Sequence, residues 1–129
     1  LFVDPGGEAP LSQPSRARFA EEAGPLLGKR CGDVSCHGDG ARPYALFTPG
    51  RRRLDPTKTH GSEPLDEEEI DANWRAALGF LDAPRGRDTT LIRKALGVGG
   101  PGGHRGGAIF EAPSDPECKA IIAWIEGGP

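Results

Sequence analysis

Cys31-Gly32-Asp33-Val34-Ser35-Cys36-His37 puts two thiols and an imidazole on one short stretch. Four residues separate the cysteines, and the histidine stands directly behind the second. The usual covalent haem signature is C-x-x-C-H, and this stretch is the same arrangement with two further residues in the loop. Each thiol can add across a vinyl group of a porphyrin, which stitches the macrocycle to a single segment of chain. The adjacent imidazole is then held beneath the iron as an axial ligand. A wider loop between the cysteines can bulge outward without moving those three groups.

Two other chemistries use the same residue types. Cys31 and Cys36 can close a small disulfide loop in an exported protein, with His37 incidental. Cys31, Cys36, His37 and Cys118 can also be counted as a tetrahedral zinc set, although an adjacent Cys and His rarely both point inward. Cys118 falls on an apolar helical stripe, where a free thiol behaves as a small core hydrophobe. Its alternative is a Cys31–Cys118 disulfide, which would leave Cys36 as the single thioether.

The elements that must position these groups are short. Residues 1–14 carry Pro5, Pro10, Pro14 and Gly6-Gly7 and read as an extended arm or linker. Residues 15–129 read as one domain. Ser15 caps a first helix with Phe19, Ala20 and Ala23 on one face. Gly24-Pro25 predicts its end, and a further turn from Leu26 to Arg30 delivers Cys31. Residues 38–64 read as loop, anchored by Tyr44, Leu46, Phe47 and Leu54.

Asp66 and Glu69 form a capping-box pattern. The helix behind it carries Ile70, Trp74, Ala77 and Leu78 on one face, with Gly79 as its stop. A short helix is expected over 89–96, capped by Asp88 and ended by Gly97. The stretch 99–107 is too glycine-rich for helix or strand, and reads as a loop whose backbone comes close to something. The last helix opens on a Ser114/Glu117 capping box with Pro116 in its first turn, and closes at Gly127. Cys118, Ile121, Ile122 and Ile125 make its apolar stripe, flanked by Trp124. No alternating apolar run is long enough for a strand, so the expected class is mainly α.

Composition agrees with a loop-rich chain: 20 glycines and 13 prolines in 129 residues. Only 36% of residues are hydrophobic, a thin core for a domain of this size, and a large apolar cofactor at the centre would supply what is missing. The net charge of −3 points to neither nucleic acid nor a membrane surface as partner. Arg51-Arg52-Arg53 and Asp66-Glu67-Glu68-Glu69 read as solvated faces. No membrane-spanning run is present, and a chain that begins at Leu1 reads as a mature or trimmed product of export.

The motif, and a helix order of one before it, two in the middle and one at the end, resemble the c-type cytochromes, in particular the small class I fold. Ala120-Ile121-Ile122-Ala123-Trp124-Ile125-Glu126-Gly127-Gly128 looks like the terminal helix of many bacterial cytochrome c domains. The C-G-x-x-x-C-H-G opening and the later His104-Arg105-Gly106-Gly107 are similar to a group of uncharacterised bacterial domains. The resemblance runs from about Arg16 to the end of the chain. It implies a mainly α, cytochrome c-like fold of short helices and long loops around one covalently bound haem c. Cys31 and Cys36 would attach that haem, His37 would ligate it, and the first and last helices would cross beside it. Because such attachment occurs outside the bacterial cytoplasm, the resemblance also implies a periplasmic or extracellular protein.

Class I cytochromes usually carry methionine as the second axial ligand, and this chain contains no Met. His104 occupies the loop where the resembling fold holds that ligand. His60, in Thr57-Lys58-Thr59-His60-Gly61-Ser62, is the alternative. Two imidazoles imply a lower potential than a Met/His pair and no open iron position. The expected role is then an exported monohaem electron carrier rather than an enzyme, working with redox partner proteins and able to self-associate into haem chains. Two alternatives stand beside it. One is a haem sensor or enzyme with an open distal site, using His60 or His104 as acid–base group. The other is a haem-free, disulfide-stapled binding module.

Overall fold

Ser15 starts the first helix as its residue type predicts, its Oγ accepting from the Arg18 amide at 3.1 Å. The computed structural model describes residues 13–32, 38, 44–97 and 108–127, and among these every regular element is helical. The first helix runs without a break through Arg16–Arg18, a π-helical stretch Phe19–Ala23, and Gly24–Cys31; together these are α1. The stop expected at Gly24-Pro25 is absent. A proline lacks the amide hydrogen and crowds the carbonyl four residues back. Here the Gly24 amide reaches five residues back to the Phe19 carbonyl, and that wider turn takes up the proline. Gly24 is also where the Phe19 side chain folds over: a Cβ there would sit 2.8 Å from the Phe19 carbonyl oxygen and 3.0 Å from its ring.

The remaining helices are α2 (Glu67–Leu78), α3 (Thr90–Ala95) and α4 (Pro116–Glu126). The Asp66/Glu69 capping box forms in both directions. Two other caps fall one residue away from expectation. Thr89 rather than Asp88 caps α3, since Asp88 closes a 3-10 turn, Gly86–Asp88. Asp115 rather than Ser114 caps α4, accepting from the Glu117 and Cys118 amides. Gly97, just past α3, takes φ +74°, the left-handed conformation that glycine adopts without a Cβ penalty.

α4 packs on the π-helical stretch of α1. The rings of Phe19 and Trp124 lie 5.0 Å apart at 54°. Trp124 is a fully buried core residue rather than a flank, and its Nε1 donates to the Ser15 carbonyl at 2.8 Å. Trp74 of α2 donates to the Pro14 carbonyl at 3.2 Å. Pro14 is buried, so it belongs with the domain body rather than with the expected arm. Leu27, Leu46, Ile92, Phe110 and Ile121 complete the centre of one continuous core.

The segment 44–64 is held by α2. Asn73 clasps the backbone of Phe47, accepting from its amide and donating to its carbonyl, both at 2.8 Å. Tyr44, Leu46 and Phe47 anchor the segment in buried positions, whereas Leu54, expected as a fourth anchor, is 51% exposed. The two charge runs are not simply solvated. Each gives one residue, Arg53 and Glu69, to a buried ion pair. The most buried line of α2 is accordingly Glu69, Asn73 and Ala77, with the expected Ile70, Trp74 and Leu78 half-buried beside it.

Candidate functional site

Cys31, the first thiol of the C-x-x-x-x-C-H motif, is the last residue of α1 and lies buried in the core. A helix end is a firm base for it, because the preceding turns fix its position. Gly28 and Gly32 let the 44–48 segment close over that end. A Cβ on Gly28 would meet Thr48 Oγ1 at 3.0 Å, and one on Gly32 would meet Thr48 Cγ2 at 3.0 Å. Tyr44 lies beside Cys31, packed edge-on against Phe80 with centroids 5.2 Å apart. Burial, and secondarily the nearby Cys31 thiol, push the Tyr44 phenol far above its ordinary range.

Cys36, His37 and His104 lie outside the described residues, as do the rest of the glycine-rich stretch 99–107 and residues 1–12 of the expected arm 1–14. The chain on either side of residues 98–107 is described. Gly97 and Ala108 meet, a Cβ on Gly97 falling 3.4 Å from that of Ala108. The amides of Ile109 and Phe110 both donate to the Ala95 carbonyl, at 2.6 and 3.1 Å. The two ends of the segment that holds His104 are therefore pinned together at the end of α3.

Arg30 ties that point to the end of α1, one residue before Cys31. Its guanidinium donates to the Ile109 carbonyl at 2.7 Å and to Glu117 Oε1 at 2.9 Å, and lies 5.0 Å from the Phe110 ring centroid. One residue thus joins the base of the Cys31 segment, the exit of the His104 segment and the first turn of α4. Local pattern gave no hint of it, because its partners lie 79 and 87 positions away.

His60 is exposed, on a turn in which the Gly61 amide donates to the Lys58 carbonyl at 3.0 Å. Cys118 is fully buried in α4 with a free thiol, so no disulfide joins it to Cys31. Burial, with Asp115 nearby, pushes its thiol above the usual range. Among the described residues no group of three or more His, Cys, Asp and Glu comes together to hold a metal ion.

The described donor has the chemistry that covalent haem attachment would need: a thiol at a helix end, among apolar core residues and beside Tyr44. No protein-family model, curated protein or solved structure matches the chain. Among the described residues no helix is long and apolar enough to cross a membrane.

Proposed function

We propose that this protein is an exported monohaem c-type cytochrome that carries single electrons between redox partner proteins. The observation that carries the reading is Cys31, which opens a C-x-x-x-x-C-H motif from the buried end of α1. In this reading Cys31 and Cys36 hold the porphyrin and His37 ligates one face. His104 ligates the other. When bound, the haem supplies a one-electron iron couple, and the polypeptide tunes it through ligand identity and burial.

Three features support these assignments. The first and last helices pack directly on each other through Phe19 and Trp124, as the resemblance implies for a cytochrome c-like fold. The exit of the His104 segment is bonded to Arg30, the residue before Cys31. His60, by contrast, is exposed on a surface turn, a poor origin for a ligand to an iron enclosed in the core. Two imidazoles on the iron leave no position for oxygen or peroxide, which favours electron transfer over catalysis.

The test is a visible spectrum and pyridine haemochrome of the protein expressed in a host that attaches haem to cysteines. A low-spin spectrum with a haemochrome band of two saturated vinyl groups is expected. A colourless protein contradicts the proposal and favours the disulfide-stapled module.

A further inference from the structure

We infer that Arg51 and Arg52 form the docking surface for a carboxylate-rich face of the redox partner, an inference that rests on the electron-carrier reading above. The arginine run divides in two. Arg53 turns inward to its buried pair with Glu69. Arg51 and Arg52 stay partly exposed and form no ion pair with any described residue. The carboxylates that follow in the chain are already engaged: Asp55 accepts from Thr57, Glu63 faces Lys58 at 3.8 Å, Asp66 caps α2 and Glu69 holds Arg53. Two guanidinium charges are left for a carboxylate from outside.

The turn that carries them is anchored at both ends. The Thr48 amide donates to the Arg52 carbonyl at 3.0 Å and the Arg51 amide to the Thr48 carbonyl at 3.1 Å, with Gly50 at φ +77° between them. Asn73 clasps Phe47 before the turn, and Glu69 grips Arg53 after it. The Arg52 guanidinium lies over the Phe47 ring, 4.0 Å from its centroid, a cation–π contact. An arginine already ordered loses less freedom on binding, and its planar fork meets a carboxylate in two parallel hydrogen bonds. Position matters as much as charge. Thr48, at the head of the same turn, lies over Gly28 and Gly32, which bracket Cys31. In the electron-carrier reading a thioether hangs from Cys31, so a partner seated on this turn meets the haem by a short path.

The experiment compares wild type with Arg51→Gln/Arg52→Gln and with Arg85→Gln/Arg87→Gln. The second variant removes the same charge from two exposed arginines beside Gly86, whose amide donates to Glu126. Binding of a polyglutamate peptide, followed by the amide NMR shifts of residues 48–52, reports docking with or without haem. Oxidation of the reduced protein by hexacyanoferrate(III) reports electron exit: the haem Fe(II) gives up one electron, the anion's iron accepts it, and no atom moves. Tris(phenanthroline)cobalt(III) is the cationic counterpart.

At low ionic strength the Arg51→Gln/Arg52→Gln variant is expected to bind polyglutamate more weakly and to react with hexacyanoferrate(III) more slowly, each by roughly tenfold. Both differences should close at about 1 M salt. Its reaction with the cobalt complex should not slow, and the Arg85→Gln/Arg87→Gln variant should match wild type throughout. An equal loss in that control overturns the inference, because net charge alone would then be acting. Unchanged polyglutamate binding, or an unchanged rate with hexacyanoferrate(III), overturns it as well. Should the double variant fail to fold, Arg51→Gln alone, which leaves the Phe47 contact in place, is read in the same way. A wild-type protein without haem bands contradicts the electron-carrier reading instead, and the polyglutamate titration then decides the docking surface by itself.

Discussion

Arg53 and Glu69 form a two-pronged ion pair in a site closed to solvent, with Arg53 Nε 2.9 Å from Glu69 Oε2 and a terminal nitrogen 2.8 Å from Oε1. The remaining valences are used too. Arg53 donates to the carbonyls of Glu63 and Pro64, while Glu69 accepts from the amides of Leu54 and Asp66. One carboxylate therefore caps α2, pairs an arginine and pins the returning chain at Leu54.

Removing one member of such a pair strands the other. Glu69→Ala is expected to destabilise the protein by about 3 kcal/mol, measured by denaturant unfolding. Replacing both residues with apolar side chains of similar size should cost far less than the single change. A double variant as unstable as Glu69→Ala would mean that the ion pair itself, not the stranded charge, sets the cost.

Acid should unfold the protein through the same carboxylate. The Arg53 guanidinium, with the Leu54 and Asp66 amides, holds Glu69 down at about 2 from an ordinary 4.5. The unfolded chain therefore takes up this proton first as pH falls. The stability Glu69 contributes is whole above about pH 4.5 and drains away as pH drops toward about 2. Asp55, Asp71 and Asp82 are also held below their ordinary range, each chiefly by a side-chain hydrogen bond, and act in the same direction. Melting temperatures between pH 6 and pH 3, a window of about three units around these carboxylates, should fall less steeply in Glu69→Gln than in wild type.

Gly24→Ala tests the π-helical turn. Alanine is the better helix former by about 1 kcal/mol, but its Cβ would press into the Phe19 carbonyl and ring. Overpacking of this kind costs about 1–3 kcal/mol, so a net loss of stability is expected in thermal or denaturant unfolding. A gain would mean that Phe19 moves aside freely.

His104→Ala should convert a low-spin haem spectrum to high-spin, or make the protein bind added imidazole, while His60→Ala leaves the spectrum unchanged. His104→Met should raise the reduction potential, because methionine in the axial position does so in cytochromes c. The reverse pattern, with His60→Ala altering the spectrum, would move the ligand to the 57–62 turn.

Local signals were legible and long-range ones were not. The Asp66/Glu69 box and Ser15 depend on neighbours within one turn, so sequence places them directly. Asp88/Thr89 and Ser114/Asp115 are adjacent residues of the same capping type, and only the helix's packing chooses between them. Pro25 reads as a stop because local rules do not anticipate a π turn that accommodates it. Arg53 and Glu69 sit in like-charged runs that look solvated, and a separation of 16 residues hides their pairing. At the candidate site, the motif itself could be read from residue types. Arg30, which joins three distant segments, could not.

The pyridine haemochrome of the protein made in a haem-attaching host tests the central claim most directly. One haem per chain, with both vinyl groups converted to thioethers at Cys31 and Cys36, is the predicted result. A protein that folds with the same helices yet carries no covalent haem would contradict it.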